Sequence, residues 1–138
     1  MRLRRLAEGD LEFVRLLRNA NRQFFFTDTQ ISAHEQRAWF RLLGSKPIDF
    51  FIIEEDGAPV GTISAKRSPG WIEIGNLLLR PEAQGRGLMR QAVRELTAAP
   101  GRYFSEVKPD NRKSVAVFEA TGFSAASSGE FVRLEKIT

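Results

Sequence analysis

The chain has 138 residues and a formal net charge of +4, a length that suits a single domain, since a soluble core typically closes within ~100–200 residues. Cysteine is absent and histidine occurs once, as His34. That removes disulfides, thiolate metal sites, a cysteine nucleophile, a histidine-based zinc site and a Ser-His-Asp triad, and no metal is expected.

No stretch reaches the ~20 apolar residues of a membrane span, and the Met1-Arg-Leu-Arg-Arg start lacks an apolar signal core. The expected location is the cytoplasm, with no membrane partner. Basic residues are spread from Arg2 to Lys136 with acids between them. The charge therefore favours anionic partners without selecting one, and a nucleic-acid partner is not expected.

Leu3 and Leu6 predict a short opening strand, after which Asp10 caps a helix with an apolar stripe of Leu11, Val14 and Leu17. Asn21 to Gln30 carries Phe24-Phe25-Phe26 and no helical signals, so it reads as a partly apolar loop. Three adjacent phenylalanines cannot all face inward in a regular element, which leaves core and acceptor-binding roles both open. Ser32 and Glu35 have capping-box spacing and predict a helix over about 33–43, with Trp39, Phe40 and Leu43 apolar and His34 on the surface. Phe50 to Ile53 and Val60 to Ala65 read as a hairpin about Asp56-Gly57.

Ser68-Pro69-Gly70 marks the next turn. Trp71 to Leu79 is a longer strand, interrupted by Gly75-Asn76, a bulge or a close backbone approach. Leu88, Ala92, Val93 and Leu96 recur at helical spacing, with Arg90, Arg94 and Glu95 outward and Pro100-Gly101 as the stop. Tyr103 to Val107 is a strand, Asn111 to Thr121 a helix closed by Gly122, and Phe131 to Ile137 a final strand. The order β-α-α-β-β-β-α-β-α-β is an α/β (α+β) pattern, antiparallel in front with a strand-helix-strand crossover behind. The exposed sheet edges of so small a domain make a homodimer an expectation.

Leu77 to Arg90 runs from a strand through Gln84-Gly85-Arg86-Gly87 into a helix at Leu88-Met89-Arg90. Such a segment suits a phosphate, because glycines admit close backbone approach and the helix start offers unpaired N–H groups and a positive dipole end. Arg86 and Arg90 add full charges. The alternative is a plain left-handed turn opening an amphipathic helix. Two carboxylates are candidate bases: Glu73, which could also face solvent or pair with an arginine, and Glu106, which could also be a structural ion-pair partner. Arg18 and Asn19, with Phe25 in the aromatic loop, are candidates for holding an anionic, ring-bearing acceptor.

The Gln84–Met89 loop resembles motif A of the GNAT superfamily of N-acetyltransferases, Gln/Arg-x-x-Gly-x-Gly/Ala, matching at Gln84 and Gly87 with Met89 in the last position. Asn111 to Phe123 resembles motif B at Asn111, Ser114, Gly122 and Phe123. The resemblance implies a mixed sheet of six to seven strands with about four helices, and a V-shaped opening between the strands near 72–79 and 103–108. It also implies acetyl-CoA as cosubstrate and a small primary amine as acceptor.

By position, the backbone of Leu78 and Leu79 would face pantetheine and the 84–89 loop would hold the pyrophosphate. Asn111 and Ser114 would flank the pantetheine arm, and Phe118 would lie near the sulfur, where many members carry a tyrosine proposed to protonate the thiolate. The resemblance also places acidic residues near Glu73, beside the thioester. Leu17-Arg18-Asn19, Ile31-Ser32, Trp39-Phe40 and Glu106-Val107-Lys108-Pro109-Asp110-Asn111 are similar to a branch that acetylates amino groups of nucleotide-linked sugars. Acetylation of a protein N-terminus or lysine, and a silent CoA-binding module, are the alternatives.

Overall fold

A computed structural model describes all 138 residues. The strands are β1 (Arg2–Arg5), β2 (Ile48–Glu55), β3 (Ala58–Ser68), β4 (Trp71–Leu79), β5 (Arg102–Val107), β6 (Ser124–Ser127) and β7 (Val132–Ile137). The helices are α1 (Leu11–Ala20), α2 (Ala33–Leu43), α3 (Leu88–Leu96) and α4 (Arg112–Ala120). The strands form one seven-stranded sheet in the order β1-β2-β3-β4-β5-β7-β6. Only β4 and β5 pair in parallel, as the α3 crossover between them requires. No helix is long and apolar enough to cross a membrane.

The expected pattern of elements is present, with three corrections. β6 was not anticipated, since its sequence Ser-Ala-Ala-Ser is exposed throughout and lacks any apolar alternation. α3 stops at Leu96 rather than at Pro100-Gly101. There the Thr97 hydroxyl donates to the Val93 carbonyl at 2.9 Å and accepts from Lys136 at 2.9 Å. Asp10 precedes α1 but makes no side-chain cap; its carboxylate instead accepts from the Ala7 N–H at 2.8 Å and from both terminal nitrogens of Arg4, at 2.7 and 2.8 Å.

Each face of the sheet has its own helix layer. On one side α3 and α4 cover Ile53, Ile63, Ile74, Tyr103 and Leu134, with Val93 and Phe118 completing the core. On the other, Val14 of α1 packs on Phe50 and Ile52, with Trp39 and Leu43 of α2 beside them. The Ser32–Glu35 capping box opens α2 as its spacing predicts.

Arg4 links β1, β2 and the turn before α1, because its Nε donates to Glu54 while its other two nitrogens grip Asp10. Replacing it as Arg4→Met strands two poorly solvated carboxylates, and urea denaturation should show a loss of about 2–3 kcal/mol, below the ~3–5 of a fully buried pair. The Arg4 hydrogen bonds hold the Asp10 carboxyl below its ordinary value. This contribution is complete above the unfolded carboxylate pKa of ~3.9 and is lost as pH falls through the lower folded value. In Arg4→Met, acid unfolding should begin at a higher pH.

Candidate active site

The site starts from a strand that cannot keep its neighbour. β4 and β5 pair only at Ile72 with Tyr103 and Glu73 with Phe104, although β4 runs on to Leu79 and β5 to Val107. On the other side of β4, Ser64 of β3 pairs with Gly75 and Thr62 with Leu78, so Asn76 and Leu77 together oppose Ile63 alone. This is a β-bulge, which bends its strand. Asn76 takes φ 55° there. Its carbonyl accepts from the Thr62 hydroxyl at 2.7 Å, and its amide donates to the Ser64 hydroxyl at 2.9 Å. Both hydroxyl residues are buried, so these bonds are shielded from water.

Beyond Glu73, β4 diverges from β5, and a cavity of about 1120 Å³ lies along the V-shaped opening. Leu78, Leu79, Gln84, Asn111, Ser114 and Phe118 line it.

At one end the cavity meets the 84–87 loop. Gly85 and Gly87 have φ 77° and 79°, and a Cβ built on either would meet nothing within 4 Å. A negative group can therefore approach the backbone there, and the first-turn N–H groups of α3, beginning at Leu88, Met89 and Arg90, have no intrahelical partners. Gln84 ties the loop down, donating to the Leu79 carbonyl at 3.2 Å and accepting from Lys113 at 2.8 Å. This cradle of free N–H groups and open glycines fits a pyrophosphate.

Arg86 does not serve it as expected. Its guanidinium forks onto Glu55 at 2.6 and 3.1 Å and lies outside the cavity lining. The cations that do line the cavity at this end are Arg90, Arg112 and Lys113, of which sequence reasoning singled out only Arg90.

Asn111 and Ser114 belong to the start of α4, where the Asn111 side chain accepts from the Ser114 N–H at 3.4 Å as a helix cap. Phe118 is buried and packs edge-on against Phe123 at 4.9 Å. No tyrosine takes its place: the single tyrosine, Tyr103, donates its hydroxyl to the Ala99 carbonyl at 2.7 Å.

Glu73 sits at the apex of the opening, half-buried on the cavity wall. Burial pushes its pKa up, Glu106 adds to the rise, and Lys66 and Arg133 oppose it. Glu106 also lines the cavity, 3.8 Å from Arg133. Arg133 is itself fixed, bonded to Glu135 at 2.7 Å and lying 4.1 Å from the Phe104 ring centre.

The far end of the cavity is walled by Phe24, Phe25 and Phe26 with Asn21, Ile48 and Lys66. The 21–31 segment is strapped across it. Lys108 donates to the Gln23 carbonyl at 2.9 Å, and Phe26 meets Phe131 edge-on at 4.6 Å.

Arg18 and Asn19, expected to touch the acceptor, lie outside the cavity lining. Arg18 donates to the Thr29 and Thr27 carbonyls at 2.7 and 3.0 Å while lying over the Phe25 ring. Asn19 makes a reciprocal pair with the Ile31 backbone at 2.8 and 3.0 Å. They shape the segment that presents Phe25.

Residues 13–123 match the acetyltransferase (GNAT) family model, and the chain belongs to that family. It is an N-acetyltransferase by that membership. No curated protein sequence matches it significantly.

Among solved structures, a domain from Methanocaldococcus jannaschii is 18% identical with a TM-score of 0.86, over 99% of this chain and 97% of that one. Spermidine N-acetyltransferase from Vibrio cholerae, in complex with CoA and spermine, is 20% identical with a TM-score of 0.81, covering 99% and 94%. AAC(6')-Ib in complex with ribostamycin and coenzyme A is 18% identical with a TM-score of 0.84, covering 98% and 92%. These likenesses establish the fold, and they distinguish no branch within the family.

Gly87→Asp should place a carboxylate where the cradle is open. Aspartate tolerates a left-handed turn and a helix N-cap position, so the fold should survive. Isothermal titration with coenzyme A should then show a loss of ~10-fold or more in affinity, with an unchanged circular dichroism spectrum.

Proposed function

We propose that this protein transfers the acetyl group of acetyl-CoA to the primary amine of a small acceptor by direct attack, with Glu73 as general base. The observation that carries the reading is the place of Glu73. It is a half-buried carboxylate at the apex where β4 leaves β5, between the glycine cradle and the phenylalanine wall.

Acetyl-CoA supplies a thioester, whose carbonyl accepts a nucleophile and whose thiolate can leave. The protein's part is to hold and orient. The 84–89 loop and the start of α3 take the pyrophosphate, with Arg90, Arg112 and Lys113 as counter-charges. Along the pantetheine arm, the β4 backbone at Leu78 and Leu79 has no β5 partner on its open side, where an extended ligand can hydrogen-bond as a strand would, although Gln84 already engages the Leu79 carbonyl. Asn111, Ser114 and Phe118 form the facing wall.

An alkyl ammonium with a pKa near ~10 is almost wholly protonated at neutral pH and cannot attack. Glu73 accepts one proton from the ammonium, directly or through a water, and the neutral nitrogen so formed adds to the thioester carbon. The C–S bond breaks with its electron pair leaving on sulfur, and the second proton that nitrogen sheds as the amide forms passes to solvent.

The wall of Phe24, Phe25 and Phe26 suits an acceptor with a ring or another apolar body. That wall is the support for the finer reading, an amino sugar on a nucleotide carrier. The other anchors proposed for it, Arg18 and Asn19, are bonded to the 21–31 backbone. A silent CoA-binding module would have no use for a carboxylate beside the thioester.

Glu73→Gln keeps the shape and removes the basic oxygen, so kcat should fall by ~10²–10⁴-fold with acetyl-CoA affinity intact. Because burial raises the Glu73 pKa, the acidic limb of wild-type kcat/KM should lie above the ordinary glutamate value of ~4.3. The variant should lack that limb and recover activity as pH rises toward the pKa of the amine. Near-normal kcat with an unchanged profile would clear Glu73, and the same measurements on Glu106→Gln would then assign or exclude the second carboxylate.

A further inference from the structure

The acceptor end of the cavity holds one cation with no partner. Lys66 of β3 stands directly opposite Glu73 of β4, and both side chains line the cavity. Cross-strand partners in an antiparallel pair have Cβ atoms ~4.5–5.5 Å apart on one face of the sheet, so ammonium and carboxylate share a wall. Neither forms an ion pair with the other or with any third group.

The neighbouring cations are engaged. Arg133 is held by Glu135 and lies near Glu106, and Lys108 is bonded to the Gln23 carbonyl. Ile48 completes the row beside Lys66, and Phe24, Phe25 and Phe26 close the cavity across from it. A polycation would find little here: Glu106 is matched by Arg133, Lys66 faces Glu73, and the remaining wall is apolar.

Resting on the acetyl-transfer reading, we propose that the acceptor is an apolar or aromatic α-amino acid. Its carboxylate is taken by Lys66, its amino group is presented to Glu73, and its side chain lies against Phe24, Phe25 and Phe26. The cross-strand pairing of Lys66 with Glu73 on one cavity wall is what selects this class. It sets a cation beside the base, and an α-amino acid carries the matching anion and amine on one carbon. An amine without such a group leaves Lys66 unanswered. A long polyamine adds positive charge beside it.

The test is a panel of phenylalanine, leucine, phenylalaninamide, spermidine and a nucleotide-linked amino sugar, incubated with acetyl-CoA and the full chain and read by free-thiol release and product mass. Wild-type kcat/KM should favour phenylalanine over phenylalaninamide by ~10-fold or more, the scale of one charge-assisted hydrogen bond. In Lys66→Met this preference should fall toward one. Losing Lys66 also removes a charge that steadies the Glu73 carboxylate, so both absolute rates should drop, and the ratio isolates carboxylate recognition. Lys66 is exposed at the cavity mouth, and an unchanged melting temperature would exclude a folding defect.

Preference for spermidine, the nucleotide-linked sugar or phenylalaninamide would overturn the proposal, with acetyl transfer itself standing. An unchanged ratio in Lys66→Met would also overturn it. If no amine releases thiol while coenzyme A still binds, the acetyl-transfer reading falls, and this proposal with it.

Discussion

The structure turns on one incompatibility: β4 cannot carry a bulge at Asn76 and also pair with β5 along its whole length. The buried hydroxyls of Thr62 and Ser64 decide the matter for the bulge, because they engage the Asn76 carbonyl and amide where water does not compete. A threonine-to-carbonyl bond in such surroundings is costly to leave unmade, on the order of 1–3 kcal/mol. The strand therefore keeps its bend. From this follow the lack of a β5 partner for residues 77–79, the cavity along them, and the placing of Glu73 at the last position paired with β5. The core survives the gap because α3 and α4 pack across the same face, with Met89, Val93 and Phe118 in one apolar cluster with Ile74 and Tyr103.

The arginines divide between structure and site in a way that total charge conceals. Arg4 binds the front of the sheet to α1, Arg18 fastens the 21–31 segment, Arg86 closes on Glu55, and Arg133 is held by Glu135 over Phe104. Each planar guanidinium forks onto or stacks against a fixed partner, a use that lysine's point charge serves poorly. The cavity is left with Arg90, Arg112 and Lys113 at the anion-binding end and Lys66 at the other. A net charge of +4 is thus a weak guide to the ligand, whereas the positions of the cations that line the cavity are a strong one.

Legibility in the sequence followed the reach of each interaction. The Ser32–Glu35 box, the Asp56-Gly57 turn and the Gly75-Asn76 interruption are local devices, and all three appear where the residues predict them. Partners far along the chain were not readable: Arg86 finds Glu55 only after β2 and the α3 loop are brought together, and Arg18 is drawn to a loop whose path the sequence does not specify. β6 was hidden because an exposed edge strand of small residues needs no apolar pattern. Lys66 was within reach. A two-residue loop at Pro69-Gly70 pairs Ser68 with Trp71, and counting back two residues on each strand brings Lys66 opposite Glu73.

The chemistry asks for a base and not for an acid, and the two sides of the cavity reflect that. An alkyl ammonium at ~10 is well above neutral pH, while a thiol at ~8.5 is a far better leaving group, departing as thiolate with little help. A phenylalanine at position 118 is compatible with the second requirement. Buried against Phe123, it contributes a dry wall and no proton. Glu73 answers the first, because a carboxylate whose pKa is raised by burial is a stronger proton acceptor than one in water, while Lys66 and Arg133 oppose the rise. Fuller burial would disfavour its charged form, and full exposure would weaken its basicity. The half-buried position at the apex of the V lies between these limits, and the bulge at Asn76 is what opens the cavity beside it.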